Sequence, residues 1–146
     1  LVSKSFKVFD KEIKSEKNFW LLKASHDAYS KSNGVIHERQ LQYFHDDYRL
    51  KGCDKLIKTK NFNSCPFELR FHLMPEIKLT KLLNNNSILI ESNNAGWKFT
   101  CKNHNIDIEK GLYFGMKNKY LENKNILVSG LTNSEEQNIF WNISKI

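Results

Sequence analysis

Two histidines, an aspartate and an arginine crowd the stretch SHDAYSKSNGVIHERQ, Ser25 to Gln40. These residue types bind metals, move protons and hold carboxylates, so the stretch is the first candidate for chemistry. Strand geometry constrains it. Neighbouring residues on a strand point to opposite faces, so His26 and Asp27 do not form a two-ligand site while the chain is extended. The plainer reading has Asp27 capping a turn and His26 bonding to backbone.

From Val35 to Phe44 the sequence alternates. Val35, His37, Arg39, Leu41 and Tyr43 point one way, and Ile36, Glu38, Gln40, Gln42 and Phe44 the other. His37 and Arg39 therefore share a face. Arg70 and His72 repeat that spacing within PFELRFHLMP. If the two strands are neighbours, the four residues make a basic patch suited to a carboxylate or sulfate, with arginine giving bidentate contacts. The opposing reading is an internal network in which Asp54 or Glu68 neutralises the cations, as buried charge requires. A metal set of His37, Asp54 and His72 is chemically allowed, but its spacing is not diagnostic. No GxSxG elbow, P-loop or GxGxxG occurs, and nothing in the sequence places a histidine beside a cysteine as base.

The elements that must position these residues are strands. Phe67, Leu69, Phe71 and Leu73 share an apolar face opposite Glu68, Arg70, His72 and Met74, and Pro66 and Pro75 bracket the segment. EIKLTKLL leads into the turn Asn84-Asn85-Asn86, and SILIES leads into Asn93-Asn94-Ala95-Gly96. WKFTC then leads into Asn103-His104-Asn105. IDIEKGLYF, NILVSGL and QNIFWNISKI follow, the last tied into the sheet by its apolar end. Asn and Gly tolerate the left-handed backbone of tight hairpins. The best helix candidate is NKYLENKN, Asn118 to Asn125. Trp97, Phe99 and Trp141 read as core. Short strands with frequent turns predict an all-β fold, an antiparallel β-sandwich, as a single domain over residues 1–146.

The whole chain sets the bounds. With 146 residues, 40% of them hydrophobic, it is long enough for one core. No run approaches a membrane span. The first residues are not a signal peptide, because charges interrupt every apolar run. Without an initiator Met the sequence reads as a mature product or a fragment. The net charge of +7 attracts polyanions, but the lysines are scattered and form no dense nucleic-acid arm. Cys53, Cys65 and Cys101 lack CxxC spacing; three buried thiols are expected, with one disulfide plus a free thiol as the alternative.

On these residues the pattern ASHDAY, GVIHERQL, LKGCDKLI, PFELRFHLMPEIKL, GWKFTC, NILVSG resembles the C-terminal β-rich part of heparinase II/III-like proteins. His26, Asp27 and Tyr29 match a His-Asp-Gly-Tyr motif, with Ala28 replacing Gly. His37 and Arg39 match His-Arg-Arg, with Glu38 between them. Gly52 and Asp54 match a Gly-Glu-Asp turn, with Cys53 in the acid's place. Arg70, Phe71, His72, Leu73 and Pro75 match Arg-Phe-His-Leu-His-Pro, with Met74 replacing the second His. Gly96, Trp97 and Phe99 match a Gly-Trp-x-Phe strand.

The resemblance implies a larger protein, in which an α/α toroid precedes a β-sandwich and cleaves acidic polysaccharides by β-elimination. It places the catalytic groups, and the His-rich zinc site of some members, mostly upstream of the residues here. No catalytic residue, metal ligand or cofactor is therefore assigned to this segment, and zinc or another divalent metal is left to the parent protein. His26, Asp27, Tyr29 and Asp54 become a structural motif. His37, Arg39, Arg70 and His72 become candidate contacts to substrate. The implied partners are an acidic polysaccharide and the upstream toroid of the same chain, with no membrane and no nucleic acid expected. An exported or periplasmic setting is implied as well. The alternative is a non-catalytic glycan-binding module.

Overall fold

Alternation and asparagine-rich turns do build antiparallel sheets. The computed structural model describes residues 5–59, 64–83, 85–92 and 95–146. The one helix among the described residues is α1 (Ser30–Asn33), which Gly34 ends in a left-handed conformation (φ 64°). No helix among the described residues is long and apolar enough to cross a membrane. The chain forms two compact units, one of residues 1–66 and 131–142, the other of residues 67–130 and 143–146.

In the first unit β1 (Val8–Ser15), β2 (Phe19–His26), β3 (Val35–Phe44) and β4 (Arg49–Lys58) are successive antiparallel neighbours. The next strand in the order after β4 comes from the far end of the chain, β11 (Glu136–Lys145). Lys58 N–H donates to the Glu135 carbonyl at 2.8 Å, and Lys55 pairs with Glu136 at 2.8 Å. Val35, Leu56, Ile139 and Trp141 are buried here. The β3–β4 turn is short. Phe44 pairs with Arg49, and counting back from that hairpin sets every partner along both strands.

In the second unit β6 (Lys78–Lys81), β7 (Ser87–Ser92) and β8 (Ala95–Cys101) form one antiparallel run. β5 (Pro66–His72), β10 (Lys119–Leu131) and β9 (Asn105–Met116) form a three-stranded sheet in that order. Apolar faces meet between them. Phe71 packs on Phe99 with ring centroids 5.0 Å apart, and Lys81 reaches Asp107 at 2.8 Å. Ile88, Phe99, Ile106, Ile126 and Val128 are fully buried. The fold is an antiparallel β-sandwich whose sheets do not close into a barrel.

The alternation places β3 at its predicted bounds, and β5 ends at His72, short of Met74. The segment Asn118 to Asn125 is not a helix. From Lys119 onward it is strand β10, paired along its length with β9. The propensity of one short polar segment yields to that long hairpin. The turn at Asn103 is present with φ 65°, and Asn85 has φ 55°. Asn84, Asn93 and Asn94 lie outside the described residues. Trp141 and Phe99 are core, while Trp97 is half-buried. The three cysteines form no disulfide; Cys101 is buried, but Cys53 and Cys65 are only half-buried.

Candidate functional site

A buried carboxylate organises the motif residues. On β4, Asp54 is fully buried, and Gly52 lies two residues before it on the same face. Gly52 has no side chain, and a Cβ there would fall inside the indole of Trp141. That space lets Trp141, on β11, swing its ring beside Asp54. The β3–β4 register sets Arg39 directly opposite Asp54, and His37 is diagonal to it. The β2–β3 register sets His26 directly opposite His37.

Three donors meet the carboxylate. Trp141 Nε1–H donates to Asp54 Oδ2 at 2.7 Å. Arg39 Nε–H and His37 Nε2–H both donate to Oδ1, each at 2.6 Å. Burial pushes the Asp54 carboxyl up, but hydrogen bonds from His37 and Arg39, the Arg39 charge and the Trp141 bond outweigh it. The carboxyl is therefore held below the usual carboxylate range and stays ionised.

The ionised carboxylate fixes the imidazoles. A carboxylate only accepts, so the proton of neutral His37 sits on Nε2 and its Nδ1 is an acceptor. His26 Nε2 lies 3.0 Å from that Nδ1 and donates to it while His37 is neutral. His26 Nδ1 is then left to accept from Ala28 N–H, at a long 3.4 Å. The result is a directional chain from Ala28 through both histidines to Asp54. Burial and the neighbouring His37 push the His26 pKa below its ordinary value. The His26 ring also packs against Phe6, at 5.8 Å, and Tyr29, at 5.4 Å. Asp27 turns away from it. Its carboxylate accepts Lys7 N–H at 2.7 Å, and its carbonyl accepts Ser30 N–H at 3.0 Å, which closes the turn into α1.

Arg70 and His72 belong to β5, in a different sheet from β3, so the strand adjacency that a joint patch with His37 and Arg39 requires is not met. Each arginine has its own acids. Arg70 pairs with Glu68 at 2.6 Å and Glu109 at 2.8 Å. Glu109 also accepts from Asn125, and Asn123 donates to Asn125 and to the Leu73 carbonyl at 2.7 Å. His37 and Asp54 meet while His72 sits on the other sheet. Among the described residues no group of three His, Cys, Asp or Glu is placed to hold a metal ion.

The sequence reading missed three things here: the role of Trp141 beyond core, the contact between His26 and His37, and the Glu109–Asn125–Asn123 ladder. One signal was available. The four residues His45 to Tyr48 between two alternating runs mark a hairpin, and counting from it pairs Arg39 with Asp54. Nothing local points to Trp141, which is 87 positions away from Asp54.

Solved structures share this fold at low identity. The heparan sulfate lyase HepC from Pedobacter heparinus superimposes with a TM-score of 0.80 at 12% identity, over 95% of this chain and 22% of that one. A heparinase III, the BT4657 gene product, gives 0.77 at 14% identity, over 96% of this chain and 22% of that one. Another heparinase III gives 0.69 at 13% identity, over 97% and 21%. The chain thus spans about a fifth of the length of these structures. No curated protein matches it in sequence. The family described as heparinase II/III-like, C-terminal, matches residues 2–142, and the chain belongs to that family.

Proposed function

We propose that this chain is the C-terminal β-sandwich region of a polysaccharide lyase that acts on uronate-containing acidic glycans by β-elimination, and that it lacks the main catalytic residues itself. The observation that carries the reading is the family match over residues 2–142. The reaction needs three groups: a base to take the proton α to the uronate carboxylate, a group to neutralise that carboxylate, and an acid for the leaving oxygen. In this chain the candidates gathered around Asp54 are already engaged with one another. Asp54 is the acceptor for His37, Arg39 and Trp141. Such a cluster ties strands β3, β4 and β11 together and orients His26 through His37. Its members support the cleft wall of a larger protein, and Arg39, Arg70, His37 and His72 are candidate substrate or supporting contacts there. Zinc or another divalent metal belongs to the parent's other regions in this reading, and no step here is routed through it.

Incubating the isolated chain with heparin, heparan sulfate and alginate while following unsaturated-uronate absorbance is expected to show no turnover. Any turnover removes the claim that the segment lacks catalytic residues. The same assay on the polypeptide from the complete reading frame is expected to show turnover on one of the glycans. The second reading, a non-catalytic glycan-binding module, draws on the exposed β5 face carrying Arg70 and His72. Glycan-array binding that is lost in Arg70→Ala, with an inactive parent, decides for it.

A further inference from the structure

The hairpin of β9 and β10 carries a surface that neither the Asp54 cluster nor the core uses. Near its base, Ile106, Ile108, Ile126 and Val128 face inward in paired register. Beyond them the same face continues outward as Lys110, Leu112 and Phe114 on β9, alongside Lys124, Glu122 and Tyr120 on β10, up to the register shift near the hairpin tip. All six are exposed. Phe114 is 71% exposed and Tyr120 65%, and their rings form a tilted pair with centroids 6.3 Å apart. The strip from Lys110 to Phe114 is about 13 Å long.

Lys110 and Lys124 sit directly opposite each other across the ladder. Like charges so placed destabilise a strand pair. Neither lysine, nor Lys117 or Lys119 near the tip, makes an ion pair among the described residues. Glu122 is the one acid on this face, opposite Leu112. The strip therefore combines two lysines, set against a single glutamate, with a pair of aromatic rings and the apolar Leu112.

We propose that this face of the β9–β10 ribbon is a binding strip for an anionic glycan. Lys110 and Lys124 meet a sulfate or carboxylate, and Phe114 and Tyr120 meet the C–H face of the adjoining sugar ring. The proposal rests on the acidic-glycan reading given above. Charge complementarity selects this occupant over the alternatives. A protein layer laid on the strip buries two opposed ammonium groups at a desolvation cost. A second copy of the chain adds four more lysines. A glycan supplies the missing negative charge and leaves the ammonium groups in water, where lysine is best solvated.

The test uses the whole 146-residue chain. Labelled with ¹⁵N, it is titrated with a heparin-derived oligosaccharide, and its affinity for immobilised heparin is measured against salt. Amide shifts are expected to centre on residues 110–124. Lys110→Gln with Lys124→Gln is expected to weaken binding at least tenfold, and Phe114→Ala with Tyr120→Ala several-fold with little change in salt dependence. The charge-matched control, Lys11→Gln with Lys31→Gln, is expected to change affinity less than twofold. Unchanged melting temperatures confirm that the exposed substitutions leave the fold intact. Equal loss in the control pair overturns the proposal, as does binding centred on Arg39 or Arg70, or no binding at low salt. Tighter binding to single-stranded DNA or to phosphatidylglycerol vesicles than to heparin also overturns it. A parent polypeptide that cleaves the glycan while the ribbon variants bind like wild type sinks the ribbon alone. Ribbon-dependent binding with an inactive parent upholds the strip and removes the lyase reading.

Discussion

Replacing Asp54 with Asn tests whether its carboxylate is the keystone of the first unit. The side chain is fully buried and accepts from His37, Arg39 and Trp141 at 2.6 to 2.7 Å. Asn keeps the shape but removes the charge, and it turns one acceptor into an NH₂ that faces other donors. A buried donor left without a partner costs about 1–3 kcal/mol. The Arg39 side chain is 37% exposed and can turn to water, so its share is discounted, whereas the His37 side chain is only 14% exposed. With His37 and Trp141 carrying most of the loss, the expected destabilisation is about 3–5 kcal/mol, the range for breaking a buried pair. That is a large part of the ~5–15 kcal/mol that holds a typical domain. Urea denaturation at pH 7 reads it directly. With a slope of about 2 kcal/mol per molar, the midpoint falls by about 2 M. The sign with pH follows from the lowered Asp54 pKa. A depressed carboxyl contributes stability that is complete above its unfolded value, near 3.9, and is lost as pH falls through the folded value. The gap between wild type and Asp54→Asn should therefore persist at pH 5 and close only in strong acid. A loss below about 1 kcal/mol at pH 7, a gap that closes by pH 6, or an unmoved Trp141 indole N–H resonance refutes the reasoning.

Two further outcomes follow from the same cluster. Gly52→Ala places a Cβ inside the Trp141 indole, so the ring must shift away from Asp54; overpacking of this kind costs about 1–3 kcal/mol, read by thermal melting, and an unchanged melt contradicts the packing. His26, with its pKa lowered by burial and by His37, should titrate by NMR below the ordinary value near 6.5, and the stability it contributes should fall as pH drops through that range; a midpoint at or above 6.5 contradicts the geometry.

Much of the fold was legible because strand period and turn chemistry are local. Alternation alone gave β3 its bounds and put His37 and Arg39 on one face. The prolines framed β5, and Arg70 and His72 do share its exposed face. The helix candidate at Asn118 to Asn125 failed because its local preference is weak and a long ladder with β9 outweighs it. That same ladder exposes the ribbon face, which no window of sequence reveals.

Sequence by itself determined which side chains share a face, since direction along a strand depends only on position. The tertiary structure decided which faces meet. The choice of Asp54 as partner to both His37 and Arg39 follows from a hairpin register, and that of His26 as partner to His37 from a second. Trp141 enters only because β11 takes its place beside β4 and Gly52 leaves room for the indole. Pairing between distant strands is set by the burial of whole sheets rather than by neighbouring residues, so the cluster that uses the histidine motif was decided by the fold.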